Sequence, residues 1–267
     1  MLSDEKQELR DKRPRAAMIA IGDELLSGRT RDANIHTLAK WLTVRGVDLV
    51  EVRIVPDIED AIVSAVNALR CASDFVVTSG GIGPTHDDIT ADAIGTAFDV
   101  EVSEREDALE VLKDWYAAKG EEVNDRRRRM ARVPTGARLI ANSVSGAPGF
   151  VLENVYVLAG VPAIFNAMLE AIDEEFPRGA LYIVYTVTAK GHESLMAEGL
   201  IDIENKFSGV KIGSYPGKSG VSGQLAIVCQ SLNADDAAAA AEAVAALFRE
   251  RGAEPKVEKG FADDREA

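Results

Sequence analysis

Two adjacent carboxylates, Asp87 and Asp88, lie inside the stretch Thr78-Ser79-Gly80-Gly81-Ile82-Gly83-Pro84-Thr85-His86-Asp87-Asp88-Ile89-Thr90. A third, Asp23, stands in Gly22-Asp23-Glu24, directly after an apolar run. Carboxylates of this kind hold a hard divalent cation or take a proton from water. Glycines beside them let a ligand approach backbone N–H groups closely. The combination suits an anionic, phosphate-bearing ligand. His86 is a candidate acid/base, although a loop histidine among carboxylates more commonly orients a ligand or holds the loop. Taken alone, Gly-Gly and Gly-Pro would mark no more than a turn.

Other chemistries find no support. The histidines, His36, His86 and His192, are far apart in the chain, and no Cys/His spacing suggests zinc. No Gly-x-Ser-x-Gly elbow occurs, and Gly217-Lys218-Ser219 lacks the spacing of a Walker loop. Two cysteines, Cys71 and Cys229, imply no disulfide framework. The net charge of −14 argues against nucleic acid and anionic membranes as partners and leaves room for a small anionic ligand held by backbone amides. No apolar run is long enough to span a membrane, and Met1 to Arg15 is charged rather than signal-like, so a cytoplasmic setting is expected.

The elements that would position these residues alternate. Ala16–Ile21 reads as a buried strand. Ile35, Leu38, Ala39 and Leu42 fall at helical spacing, and that helix stops at Gly46. Val50–Ile54 reads as a strand, Ile58 to Leu69 as a helix, and Phe75–Thr78 as the strand before the glycine loop. Ala91–Phe98 follows as a helix, with Thr90 a good N-cap. Such alternation predicts a parallel sheet with helices on both faces, its ligands beyond the carboxyl ends of the strands. A helix is expected over 104–120. Arg126 to Arg129 after it reads mainly as a solvated, salt-linked face, with one or two arginines reaching a phosphate as the alternative.

A second small-residue loop runs from Asn142 to Gly149. The apolar stretch 150–158 is broken at Glu153-Asn154 as in a hairpin, and Pro162 suits the first turn of a further helix. Near residues 177–179 the pattern changes to β-α-β-β-α, a small α+β unit with a turn at 215–220 and a final alanine-rich helix. Residues 1–15 and 254–267 read as charged tails around segments 16–178 and 179–253.

The blocks Ile21 to Asn34, Gly80 to Thr90, Asn142 with Gly146 to Gly149, and Gly160-Val161-Pro162 together resemble the molybdopterin-binding (MoaB/Mog-like) domain family. The nearest branch is the one found in the competence/damage-inducible protein CinA and in FAD synthase. The resemblance covers about residues 16–178. It extends more weakly over 181–251, where Gly213-Ser214-Tyr215-Pro216 is similar to the KH-type domain of CinA.

The resemblance implies a three-layer α/β/α fold with a mostly parallel sheet, then a small KH-like α+β domain. It implies a divalent metal (Mg²⁺, Mn²⁺ or Co²⁺) at Asp23 and Asp88, K⁺ as a further cation, and a molybdopterin or nucleotide ligand. Asp23, His86, Asp87 and Asp88 become the expected catalytic set. The expected binding set is Gly22, Gly28, Thr30, Asn34, Ser79, Gly80, Gly81, Gly83, Thr85, Asn142, Gly146, Pro148, Gly160 and Pro162. The wider family carries Thr at the place of Ile82 and Pro-Arg at the place of His86-Asp87. The spelling here belongs to the CinA-like branch, which implies hydrolysis of a nucleotide diphosphate such as ADP-ribose or FAD. The alternatives are a non-catalytic pterin or nucleotide module and molybdopterin adenylylation. No segment resembles the amidohydrolase domain of CinA, so that activity is not expected. Self-association to a homo-oligomer is implied by the family.

Overall fold

The computed structural model describes residues 13–217 and 223–261. It divides into two units, one spanning Pro14–Gly179 and the other Ala180 onward, to which Arg13 also belongs.

In the first unit, strands β1 (Arg15–Ile21), β2 (Asp48–Val55), β3 (Phe75–Ser79), β6 (Arg138–Ile140), β7 (Gly149–Leu152) and β8 (Val155–Leu158) form one sheet in the order β2-β1-β3-β8-β7-β6. The pairs β1–β2, β1–β3 and β3–β8 are parallel, whereas β7 is antiparallel to both β8 and β6. The helices are α1 (Asp23–Leu26), α2 (Asn34–Thr43), α3 (Glu59–Ala72), α4 (Thr90–Phe98), α5 (Glu106–Ala117), α6 (Asp125–Arg128) and α7 (Pro162–Ala171). A two-stranded ribbon, β4 (Val102–Glu104) with β5 (Arg132–Pro134), completes the unit.

β1 shows why there are three layers. Its side chains alternate across the sheet. Ala17, Ile19 and Ile21 enter a core with Ile62, Val66 and Leu69 of α3, Ile94 of α4 and Leu112 of α5. Ala16 and Met18 enter a second core with Leu38 and Leu42 of α2 and Phe165, Met168 and Leu169 of α7. A strand covered on both faces needs a continuous apolar sequence, and RAAMIAI has one after its first residue. The chain runs outward from β1 to β2 and then crosses to β3 on the other side of β1. The crevice between β1 and β3 is therefore a topological switch point, where ligands of such sheets bind.

The second unit holds β9 (Ile183–Lys190), α8 (Glu193–Lys206), β10 (Val210–Pro216), β11 (Gln224–Ser231), α9 (Ala234–Glu250) and β12 (Lys256–Lys259). Its sheet is fully antiparallel, ordered β10-β11-β9-β12. Asn233 caps α9, accepting a hydrogen bond from the Asp235 N–H at 2.9 Å. The alanines of α9 let it lie close on the sheet, with Ala240, Ala241, Val244 and Phe248 buried.

Two expectations about tails change. Residues 256–259, read as part of a charged tail, pair with β9. Charge hid this edge strand, because three of its four residues, Lys256, Glu258 and Lys259, are charged, as edge strands often are. At the other end, Arg15 opens β1, and Arg13 is buried, its guanidinium 4.2 Å from the Tyr182 ring and bonded to the Ala180 carbonyl. Residues 1–12, 218–222 and 262–267, including most of the expected N-terminal tail and part of the 215–220 turn, lie outside the described residues.

Candidate functional site

β1, β2, β3 and β8 all point their carboxyl ends to one edge of the sheet, and the loops that follow them form the site. Gly80 has φ +108° and Gly81 φ +70°, which an L side chain adopts only at a cost. Space forbids a side chain as well. A Cβ on Gly80 would strike the Ile21 carbonyl, and one on Gly81 would strike Thr90 Oγ1. The loop is stitched to α4 by Thr90, whose hydroxyl donates to the Gly80 carbonyl at 2.9 Å and whose N–H donates to the Gly81 carbonyl at 3.0 Å. Thr90, expected as the cap of its own helix, is thus the first helical residue, and its side chain serves the glycine loop instead.

Asn34 joins three loops. Its Nδ2 donates to Ser79 Oγ at 2.7 Å and to the Gly160 carbonyl at 2.8 Å. The residue is 3% exposed, and its Oδ1 is buried without a partner among the described residues. Gly160 lies against Gly80, and Pro162 opens α7 just beyond. Gly28 and Thr30 are exposed, with the Thr30 N–H donating to the Glu24 carbonyl, so they shape the return from α1.

The acids separate into two groups. Asp88 Oδ2 accepts from the Thr85 N–H at 2.8 Å and from its hydroxyl at 2.5 Å, while Oδ1 accepts no hydrogen bond among the described residues. The carboxylate lies over Gly83, where a Cβ would be 2.7 Å from Oδ2. Asp23, exposed at the start of α1, donates its N–H to Asp57 Oδ2 at 2.9 Å. Burial pushes the Asp57 carboxyl above its ordinary value, the Asp23 N–H opposes this, and the negative charges of Asp23, Glu24 and Asp87 add to the rise. Asp87, and not Asp88, therefore shares a local field with Asp23. The Asp87 carboxyl is held below the usual range, first by the Thr85 hydroxyl, then by its own N–H, with His86 assisting. Thr85 has a single hydroxyl proton; its hydrogen bond goes to Asp88, with Asp87 as the other acceptor in reach. His86 stands at the loop tip, its side chain 99% exposed and Nδ1 3.8 Å from Asp87 Oδ1.

Behind the glycine loop a small cavity is lined by Gly81, Ile82, Gly83, Asp88, Ala91, Asp92, Arg129, Met130, Arg132, Val133, Pro148 and Phe150. Of the second small-residue loop, Pro148 reaches this cavity. Asn142 is spent inside its own loop, donating to Ser145 Oγ and the Ala147 carbonyl and accepting from the N–H groups of Val144 and Ser145. Gly146 lies against the Trp115 ring, away from the glycine loop's partners. Both were expected to shape a pocket directly; they act by folding the segment that presents Pro148.

Two features escaped sequence reading. Asp57 follows β2, so a carboxylate just past a third parallel strand was the signal available. The arginine run divides by partner. Arg127 pairs with Glu121 and stacks 3.8 Å from the Tyr116 ring, and Arg128 pairs with Glu104 at 2.5 Å. Arg129 turns to the cavity.

Residues 17–177 match the family described as "Probable molybdopterin binding domain". The chain belongs to the molybdopterin-binding domain family. Residues 182–257 match the FAD synthase middle domain, a span that reaches the first two residues of β12. A relative from Archaeoglobus fulgidus is 35% identical over 74% of this chain and 84% of its own length, and one from Caldivirga maquilingensis is 34% identical over 74% and 78%. Among solved structures, the protein CinA with unknown function from Thermoplasma acidophilum superposes with TM-score 0.57 at 33% identity, covering 61% of this chain and 98% of that one. The resemblance to the CinA-like branch of the MoaB/Mog family and the mixed α/β fold are thus both established. Among the described residues no helix is long and apolar enough to cross a membrane.

Proposed function

We propose that this member of the family is a metal-dependent hydrolase of a nucleotide diphosphate, of the class of ADP-ribose or FAD. The observation that carries the reading is the shared cavity: the Gly81–Gly83 backbone, the Asp88 carboxylate and two arginine side chains line one space at the end of β3. A diphosphate needs donors for its oxygens and a way to balance its charge, and this space offers both. The descriptions of the two matched families, a probable molybdopterin binding domain and the middle domain of FAD synthase, support a pterin- or nucleotide-type small-molecule ligand.

Among the described residues no group of three or more His, Cys, Asp or Glu side chains converges as a cage for a metal. Mg²⁺ does not demand one: it is commonly held by one or two carboxylates with water and substrate phosphates. Asp57 is raised first by burial and then by the nearby negative charges of Asp23, Glu24 and Asp87, and it is this added charge that a cation would relieve. Asp88 lines the glycine-loop cavity whereas Asp23 groups with Asp57 and Asp87, so a cation taken up jointly with substrate would rest on Asp88, water and phosphate, with the Asp23 group adding negative charge. When bound, it would neutralise the diphosphate and polarise its phosphorus–oxygen bonds.

The protein's own groups do the rest. Glycine-loop N–H groups bind phosphate oxygens. Asn34 holds the loop ends of β3 and β8 together beneath them. Asp87, ionised throughout the neutral range, orients the attacking water, and the His86 imidazole accepts its proton. Water oxygen bonds to one phosphorus, the bridging oxygen leaves with the second phosphate, and two monophosphates result. Incubation with ADP-ribose or FAD and Mg²⁺, Mn²⁺ or Co²⁺, read by product chromatography, tests the reading. Full activity in Asp88→Asn would overturn the assigned machinery.

A second reading is a pterin or nucleotide binding module without turnover. It is favoured by the 99% exposure of the His86 side chain, which no neighbouring group among the described residues holds in place for proton transfer beyond Asp87 at 3.8 Å. Micromolar binding without hydrolysis under every metal would decide for it.

A further inference from the structure

Arg129 lines the glycine-loop cavity, yet among the described residues its side chain makes no hydrogen bond or ion pair, and its Nε is buried without an acceptor. Its neighbours differ. Arg127 is taken by Glu121, Arg128 by Glu104, and Arg132, in the same cavity, by a two-point contact with Asp92 at 2.9 and 2.5 Å. In a chain with 44 acidic residues, acceptors for a guanidinium are plentiful. Buried polar atoms normally find a partner, and one left unpaired beside a cavity marks where a partner is missing.

We infer that Arg129 forms an anion subsite for a phosphoryl group of the nucleotide diphosphate. The inference deepens the reading above and rests on it. The guanidinium presents a planar fork of donors matched to phosphate oxygens. Gly81 and Gly83 bring backbone to the same space, and the Asp88 carboxylate lines it as well. Arg132 cannot serve equally, since Asp92 already occupies its fork. The phosphate between loop and arginine would supply the acceptor that Nε lacks. Arg129 is thus a binding residue that selects ligands by phosphate.

The test is calorimetric titration of the full chain in Mg²⁺ with α,β-methylene-ADP, whose bridging carbon blocks hydrolysis, and with adenosine. Charge-assisted hydrogen bonds of this strength predict that Arg129→Gln weakens the methylene diphosphate about tenfold to a hundredfold and leaves adenosine unchanged. Arg129→Lys, keeping the charge without the fork, should fall between. Arg129→Gln binding the diphosphate within twofold of the parent overturns the subsite, as does an equal loss for adenosine, which would mark a structural role. Arg129-dependent binding with no hydrolysis of ADP-ribose under any metal would sink the hydrolase reading and leave the subsite standing. Failure of the parent chain to bind the methylene diphosphate would overturn both.

Discussion

Asn34 and Ser79 are 45 residues apart in sequence and joined by a 2.7 Å hydrogen bond from the amide to the hydroxyl. Because the same amide nitrogen also reaches the Gly160 carbonyl, the start of α2 is tied to the ends of β3 and β8. The bond is buried, so its loss leaves an acceptor unpaired in a place water does not easily enter. Asn34→Ala should destabilise the first unit by about 1–3 kcal/mol in urea unfolding. Asn34→Asp should cost more, since a carboxylate facing the Gly160 carbonyl sets acceptor against acceptor. Equal stability of Asn34→Asp and the parent would show that the bond is not what holds these loops.

Gly81 and Thr90 share one small space. Gly81→Ala puts a methyl group onto Thr90 Oγ1 and an L residue at φ +70°, so it should lower the unfolding midpoint and abolish ligand uptake. Thr90→Ala removes the obstacle but also the bond to the Gly80 carbonyl. The double variant Gly81→Ala with Thr90→Ala should therefore be more stable than the sum of the two single losses predicts, by about 0.5 kcal/mol or more in a double-mutant cycle. Strict additivity would mean that the two residues do not contend for that space.

Much of this arrangement was written in local pattern. β1, β3 and the helices between them follow from runs such as RAAMIAI and from the 3.6-residue spacing of Leu38 and Leu42, because burial on both faces leaves little room for other residue types. The glycine loop was legible because positive φ and close approach to Ile21 and Thr90 demand glycine. What stayed hidden depends on tertiary neighbours. Asp57 gains its place only when β2 lies beside β1, and Arg129 differs from Arg127 and Arg128 only through which acids the fold brings near. β12 was missed since four charged or β-branched residues at an edge look like a solvated tail until β9 supplies their partner.

Asp88 offers a cleaner separation of chemistry from folding. Its carboxylate is fixed through Oδ2 by Thr85, and Oδ1 remains for a ligand or cation. Asp88→Asn keeps the shape and an acceptor oxygen while removing the charge. Hydrolysis of ADP-ribose should fall by about a hundredfold or more, in line with losing one preorganised electrostatic group, with an unfolding midpoint close to the parent's. Chelation by EDTA should abolish the activity of the parent, and added Mg²⁺ should restore it. A variant that loses its fold along with its activity would assign Asp88 to structure instead.

Cys229 and Cys71 give a test of the second unit that needs no ligand. Cys229 is fully buried on β11, and burial pushes its thiol up to about 12 from 9.0, whereas Cys71 is exposed on α3. The thiolate is the reactive form, so Cys229 should stay inert to alkylation at pH 8–9 while the unit is folded. Labelling of the native chain should modify Cys71 alone, and labelling in denaturant should modify both. The sign of the pH effect follows from the same shift. Above pH 9 the unfolded chain releases a proton that the folded one keeps, so the second unit should lose stability from pH 9 upward, levelling off near 12. Cys229→Ala should flatten that fall, measured as the slope of unfolding free energy against pH. Rapid labelling of Cys229 at pH 8 in the native state would show that β11 is open to solvent and that α9 does not seal this core.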